Sequence, residues 1–366
     1  MRPLNLERVA DLRMRNLRLW GAPSTSPEDV VRWLGAVQSQ EFGPAKWSIA
    51  ERTTGLRDAT VNEAFDAGTI LRTHVLRPTW HFVLPEDIGW MLELTGPRVR
   101  RTMGTYDRKL GLDEALMKKC RTLIERALRR GMHLTRQELR AVLEKAGVPA
   151  QGQRLNHIVM NAELVGSICS GRRRGKQHTY ALLEERAPRA RTLTRDDALA
   201  ELTVRYFTSH GPATPKDFSW WASLTLADIR QGIEMAGPAL AQETVDGKTY
   251  WFAPTAIRRR SKAPRVHLLQ PYDEIVVGYT ESRHALDRSG IARGRFLDFF
   301  GGALMVDGQV AGQYKRALAT DRVGVGVTLF RRFDRAETEA LEAAAGRLGR
   351  FLGLPVDLVT SVEGKR

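Results

Sequence analysis

Gly171-Arg172-Arg173-Arg174-Gly175-Lys176-Gln177-His178 is a short basic loop between two strand-like runs, 165–169 and 179–183. Three helical patterns precede it. The first, 113–130, stops at Gly131. Thr135-Arg136-Gln137-Glu138 then has capping-box spacing, in which the Thr hydroxyl and the Glu carboxylate satisfy backbone N–H groups at a helix start. Leu139, Val142, Leu143 and Ala146 keep helical spacing behind it, and Gly147 ends that helix. The third, 153–164, carries Leu155, Ile158, Val159 and Ala162 on one face. Helix, helix, helix, basic hairpin is the order of a winged helix-turn-helix.

The same order recurs on both sides. Downstream, Leu199, Leu202 and Phe207 mark a helix ended by His210-Gly211, Thr214-Pro215 starts the next, and Thr225 with Asp228 opens a third. A hairpin, 240–245 and 249–253, turns at Asp246-Gly247. Asp228 and Glu234 make this third helix a poor DNA reader, so the copy reads as structural. Upstream, a helix at 5–19 precedes the start signal Ser26-Pro27-Glu28-Asp29. Thr60-Val61-Asn62-Glu63 caps another helix, Gly68 ends it, and a hairpin, 70–75 and 79–83, bends around Arg77-Pro78. Beyond 261 the pattern is mixed. Strand-like runs at 266–269, 274–278, 303–306, 310–314 and 323–330 lead to a helix at 334–352, a small α/β or barrel-like domain. The predicted fold is mainly α with small β hairpins (α+β). It has three tandem winged helix-turn-helix modules at 1–100, 101–190 and 191–260, and a C-terminal mixed α/β domain at 261–366.

Charge narrows the partner. The 366 residues hold 57 Lys+Arg against 42 Asp+Glu, a net +15 and a pI near 10.2. Arg supplies 46 of the 57, and its planar fork matches a phosphate as Lys does not. Duplex DNA offsets such self-repulsion by counterion release. No run approaches the roughly 18 apolar residues of a membrane span. The N-terminus lacks an apolar secretory core. Cys120 and Cys169 cannot by themselves make a disulfide framework or zinc site. A cytoplasmic protein without metal or cofactor is expected.

Enzyme signatures are sparse. There is no phosphate-binding loop, GxSxG, CxxC pair or HExxH. Gly324 and Gly326 lie in a strand-like run and read as close packing. Asp273-Glu274 reads as a surface turn rather than a nuclease site. His74 and His81 are placed to face each other across the first hairpin without a metal. One segment is unusual: Val37-Gln38-Ser39-Gln40-Glu41-Phe42-Gly43. Residues two apart on a helix diverge by about 200°, so Gln38 and Gln40 share a side only if the chain leaves the helix there. Gly43-Pro44 favours that departure.

Gln38-Ser39-Gln40, Ala45-Lys46-Trp47 and the run Leu76-Arg77-Pro78-Thr79-Trp80-His81-Phe82-Val83-Leu84-Pro85-Glu86-Asp87 closely resemble the winged-helix DNA glycosylases. These are the AlkZ-like enzymes, with azinomycin-resistance and interstrand-crosslink relatives. Pro271-Tyr272-Asp273-Glu274 and Gly308-Gln309-Val310-Ala311-Gly312 extend the resemblance, which runs from about 38 to 357. It implies a bacterial, nucleoid-associated enzyme, C-shaped around a basic cleft between winged helices. It also implies a catalytic Gln-x-Gln motif, here Gln38 and Gln40. Ser39 departs from the aliphatic residue common between them. Gln rather than Asp at position 40 matches the alkylpurine branch.

Two neutral amides suit one chemistry. A purine alkylated at N7 or N3 is already cationic and leaves without protonation. The remaining tasks are to hold water near C1′ and to stabilise an oxocarbenium ion. The expected activity is a monofunctional DNA glycosylase for cationic alkylated purines in duplex DNA, crosslinked adducts included, working as a monomer. Arg172, Arg173, Arg174 and Lys176 are the expected DNA contacts on the wing, and Lys46 reads as a phosphate contact rather than a nucleophile. A second basic run, Arg258-Arg259-Arg260, adds cations after the third module. The alternative is a non-catalytic winged-helix regulator, but regulators are normally symmetric dimers with a base-reading helix.

Overall fold

A computed structural model describes residues 3–254, 263–292 and 302–364; Arg258-Arg259-Arg260 lies outside them. The chain begins with α1 (Leu6–Asn16). The first unit then runs α2 (Pro27–Leu34), β1 (Val37–Gln38), α3 (Phe42–Ala50), α4 (Asp58–Ala67), β2 (Leu71–His74) and β3 (Trp80–Val83). A long helix, α5 (Ile88–Lys109), leads to the second: α6 (Glu114–Leu128), β4 (Leu134–Thr135), α7 (Arg136–Lys145), α8 (Gly152–Leu164), β5 (Ile168–Ser170) and β6 (Thr179–Leu182). After a short α9 (Leu183–Arg186), the third contains α10 (Arg195–Ser209), α11 (Pro215–Ala222), α12 (Leu226–Ala236), β7 (Ala241–Val245) and β8 (Lys248–Phe252).

The three units share one topology. In the first two the sheets are ordered β1-β3-β2 and β4-β6-β5, so the short strand after the first helix pairs with the last strand of the hairpin. The third keeps a remnant of this, a single bridge from Ala213 to Trp251. These first strands are too short for an alternation pattern to reveal. Thr135 and Glu138 form the expected capping box, as do Thr214 with Asp217 and Thr225 with Asp228. The α4 helix starts at Asp58, before the Thr60 signal.

Several expectations change. Helix α1 packs against the third unit as well as the first: Leu4, Val9 and Leu12 form a core with Val245, Tyr250 and Phe252, while Met14 joins the core of the first unit and the Asn16 carbonyl accepts from Trp33 Nε1 of α2. The Glu274–Val277 run is a helical turn, α13, not a strand, because the Asp273 side chain accepts from the Ile275 N–H and caps it. The C-terminal sheet is open, not a barrel. Its strands are β9 (Val266–Leu269), β10 (Ala303–Val306), β11 (Gln309–Leu318), β12 (Val323–Leu329) and an unexpected β13 (Val356–Val362), ordered β13-β12-β11-β10-β9. The helix α14 (Arg335–Leu352) precedes β13 and packs against the sheet. Gly324 and Gly326 lie in β12, but a methyl group at either would meet nothing closer than 3.8 Å, so close packing does not require them.

The cores decide what moves with what. The second unit has its own, including Met117, Ile124, Leu139, Leu143, Ile158 and Leu182. The first unit shares a core with the third and with the C-terminal sheet, through Trp47, Phe82, Trp221, Leu268 and Phe351 among others. Gly96 on α5 joins the first two units closely, since a Cβ there would sit 2.4 Å from the Leu164 carbonyl oxygen at the end of α8.

Candidate active site

A cleft of about 700 Å³ separates the first two units. The first contributes Gln40, Phe42, Arg72 and Trp80; the second contributes the start of α7, the start of α8 and the hairpin residues Gln177, His178 and Tyr180. Arg136 and Arg140 add cations. No Asp or Glu lines it among the described residues. Its one imidazole, His178, packs edge-on against Phe42 with centroids 4.6 Å apart. Burial, then the charges of Arg72 and Arg173, push the His178 pKa down to about 4, so the ring is neutral near pH 7.

The glutamine segment does leave its helix. Gly35, at φ 81°, ends α2, and the chain enters β1. Gln38 pairs with His81 in that sheet, and the Ser39 N–H donates to the Trp80 carbonyl at 2.7 Å. The two amides nonetheless have different surroundings. Gln40 is half-buried and lines the cleft, where its Oε1 accepts from the Trp80 N–H at 3.3 Å. Gln38 is only 5% exposed and is not part of that lining. The expected pair is thus split, one amide at the cleft and one behind it.

A buried network fixes Gln38. Arg77 Nη2 donates to its Oε1 at 2.7 Å and to His81 Nε2 at 3.1 Å, while Arg77 Nη1 donates to the Trp221 carbonyl at 2.7 Å. A guanidinium only donates, so the Gln38 oxygen must face Arg77. The Gln38 backbone N–H donates to Glu274 Oε1 at 2.8 Å. Trp221 Nε1 and His210 Nε2 lie 2.8 and 3.3 Å from Glu274 Oε2. Burial would raise the Glu274 pKa; the His210 hydrogen bond and the positive charges around it prevail and hold it to about 2. Burial, then Arg77, push His81 down to about 3. Asp273 beside it pairs with Arg52, and both side chains are fully buried. Asp273-Glu274 is therefore an internal junction and not a surface turn, a role the sequence hides because its partners come from distant segments.

The other expected site residues have the following surroundings. Lys46 is 5% exposed, with its ammonium held by Asp58 and Asn62 at 2.7 and 2.8 Å. Arg173 is anchored bidentately on Asp66 of the first unit. Arg174 bonds Glu138 at 2.7 Å on the surface. Arg172 and Lys176 are exposed. His74 and His81 do not face each other: His74 stands opposite Trp80, and His81 opposite Thr73. The His74 Nδ1 meets Glu163 of α8, which also accepts from Trp80 Nε1. Among the described residues, no group of three His, Cys, Asp or Glu side chains is placed to hold a metal ion.

A family model described as DNA glycosylase AlkZ-like matches residues 31–351. The chain belongs to the AlkZ-like DNA glycosylases. The glycosylase is 27% identical over 372 residues to an interstrand DNA cross-link repair glycosylase of Streptomyces sahachiroi, covering 92% of this chain and 95% of that one. Its fold matches the solved Streptomyces sahachiroi DNA glycosylase AlkZ with a TM-score of 0.80 at 21% identity, covering 98% of this chain and 100% of that chain. No described helix is long and apolar enough to cross a membrane.

Proposed function

We propose that the three recurring units are winged-helix modules, and that the cleft between the first two is where this glycosylase excises cationic alkylated purines from duplex DNA. N7-alkylguanine and N3-alkyladenine are the simplest such bases. The cross-link repair activity named for the Streptomyces relative supports extending the range to bulky and crosslinked adducts.

The observation that carries this reading is the absence of any carboxylate from the described cleft lining, to which Gln40 contributes. A neutral base would need an acid to leave. Here the imidazole is neutral and the remaining groups are amides, hydroxyls, aromatics and guanidinium ions. A purine that already carries positive charge needs no acid. Gln40 Oε1 has two acceptor directions, and only one is used by Trp80, so the other can orient a water molecule. Arg136 and Arg140 suit the flanking phosphates. Gln38 then acts from behind, where Arg77 and Glu274 fix the strand that presents Gln40. The engagement of Lys46 by Asp58 and Asn62 favours hydrolysis over lyase chemistry.

The test is release of base and appearance of abasic sites in duplex DNA containing N7-methylguanine. Undamaged purines in the same duplex should stay. Gln40→Ala is expected to slow single-turnover excision by roughly 10²–10³-fold, as for loss of one preorganised polar group elsewhere. A Gln40→Ala enzyme as fast as the parent overturns the assignment.

A further inference from the structure

Arg72 occupies an unusual place. It is the second residue of β2, partly buried, and it lines the cleft. Its Nε donates to the Ser39 carbonyl at 3.0 Å, and its Nη2 donates to the Gln40 carbonyl at 3.2 Å. Its guanidinium carbon lies 4.3 Å from the Trp80 ring centroid. It therefore grips the two main-chain carbonyls on either side of the Gln40 Cα. Several enclosed arginines have a carboxylate: Arg52 has Asp273, Arg173 has Asp66 and Arg205 has Asp87. Arg77 has none in direct contact among the described residues, but its guanidinium is bonded by Gln38, His81 and the Trp221 carbonyl and, unlike Arg72, does not line the cleft. Among the described residues, no carboxylate stands within 4.0 Å of Arg72. Burial pushes its pKa down to about 10 against the opposing pull of the more distant Glu163 carboxylate, which still leaves it charged at neutral pH.

An enclosed cation with no carboxylate in direct contact is costly, and an anion brought to it would offset that cost. A cationic purine cannot do so. The anion that a duplex brings into this cleft is its phosphodiester, and a guanidinium fork matches phosphate oxygens in the plane left open by its protein bonds.

We propose that Arg72 is a positioning residue that binds a phosphate flanking the lesion and, through the Ser39 and Gln40 carbonyls, sets the Gln40 amide against the water. This rests on the reading of the cleft given above. Phosphate binding and catalytic geometry are then one event: DNA that does not place its backbone at Arg72 does not align Gln40. The device would restrain hydrolysis of bases that reach the cleft in the wrong register.

The experiment measures single-turnover excision of N7-methylguanine from duplexes in which each phosphate flanking the lesion is replaced in turn by a neutral methylphosphonate. The parent should lose roughly 10²-fold at one linkage, the effect of shifting a catalytic group by about 1 Å. Arg72→Gln should be slow on the ordinary duplex and nearly indifferent to that same linkage. Non-additivity of this kind reports a direct coupling, which a merely destabilised fold would not produce. Arg72→Lys keeps the charge without the fork; it should stay partly sensitive to the linkage while being slower than the parent, and it carries the test if Arg72→Gln does not fold. Either variant responding to the neutral linkage as fully as the parent overturns the proposal. So does a parent insensitive to every neutral linkage. A parent that releases no N7-methylguanine at all removes the substrate reading, and this one with it.

Discussion

The first and second units are built to one plan and differ at one junction. In the second, β4 ends at Thr135 and α7 begins at the next residue, with Thr135 and Glu138 closing a capping box. The third does the same with Thr214 and Asp217. In the first, Ser39, Gln40 and Glu41 intervene between β1 and α3, and Glu41 makes no side-chain cap. The position that would complete a box holds Pro44, which has no N–H to be capped. Local optimisation has been given up where the proposed site stands, and kept in its siblings. Functional sites are where such rules are expected to break. Behind the uncapped turn stand buried charged groups, of which Glu274 also binds Trp221 and His210 of the third unit.

That contrast is broken most severely at Glu274. Its carboxylate holds the Gln38 N–H, Trp221 and His210, drawn from the first and third units. Glu274→Leu leaves Arg77 without a nearby negative charge in a dry interior, and it should cost about 3–5 kcal/mol in urea denaturation. A loss below about 1 kcal/mol would mean that the network does not hold the units together. The pH dependence follows from the same group. Its folded pKa, about 2, lies below the unfolded value of about 4.3. The folded state therefore binds fewer protons in this range. The contribution is complete above pH ~4.3 and fades as pH falls towards 2. Glu274→Gln should remove that part of the acid limb while leaving the rest.

What could be seen beforehand follows the same divide. The second unit was legible because its signals are local: a capping box, glycine stops and a basic turn all fall within a few residues of what they control. Strand β4 was not, since two residues carry no alternation. Gln40 was identifiable from its motif and reaches the cleft. Gln38 was expected beside it, and its burial depends on Arg77, 39 positions away. Glu274 lies 236 positions from Gln38 and 53 from Trp221, so no window of sequence shows why Glu-Ile-Val-Val should turn as a helix and sink into the junction. The hydrogen bonds of Lys46 were hidden for a related reason. Its partners, Asp58 and Asn62, lie on the next helix, and a lysine a few residues from the glutamine segment looks free until that helix is placed.

The wing sharpens the comparison at smaller cost. Arg172 and Lys176 are exposed, while Arg173 bridges to Asp66 of the first unit. Arg172→Ala and Lys176→Ala should each flatten the salt dependence of duplex binding by roughly 0.9 in log–log slope, with stability unchanged. Arg173→Ala should instead lower thermal stability, because it frees Asp66 and loosens the contact between units. Equal effects of all three on the salt slope would show that the Asp66 anchor opens in the complex.

The smallest expected effect returns to the junction itself. If Pro44 stands in for a cap, its value is entropic: it removes one N–H that would need a partner and restricts the unfolded chain. The first helical bond of α3, from the Ala45 N–H to the Glu41 carbonyl at 3.0 Å, spans it. Pro44→Ala adds an uncapped donor and a freer unfolded state, so it should destabilise by about 0.4–1 kcal/mol. Chemical denaturation measures this directly. The same variant should lose excision rate more than DNA affinity, because the turn it loosens carries Gln40, whereas the phosphate-facing cations stay in place. A variant with unchanged stability and an unchanged rate would mean that the uncapped turn is held by Arg72 and the Trp80 strand alone, and that the proline is incidental to it.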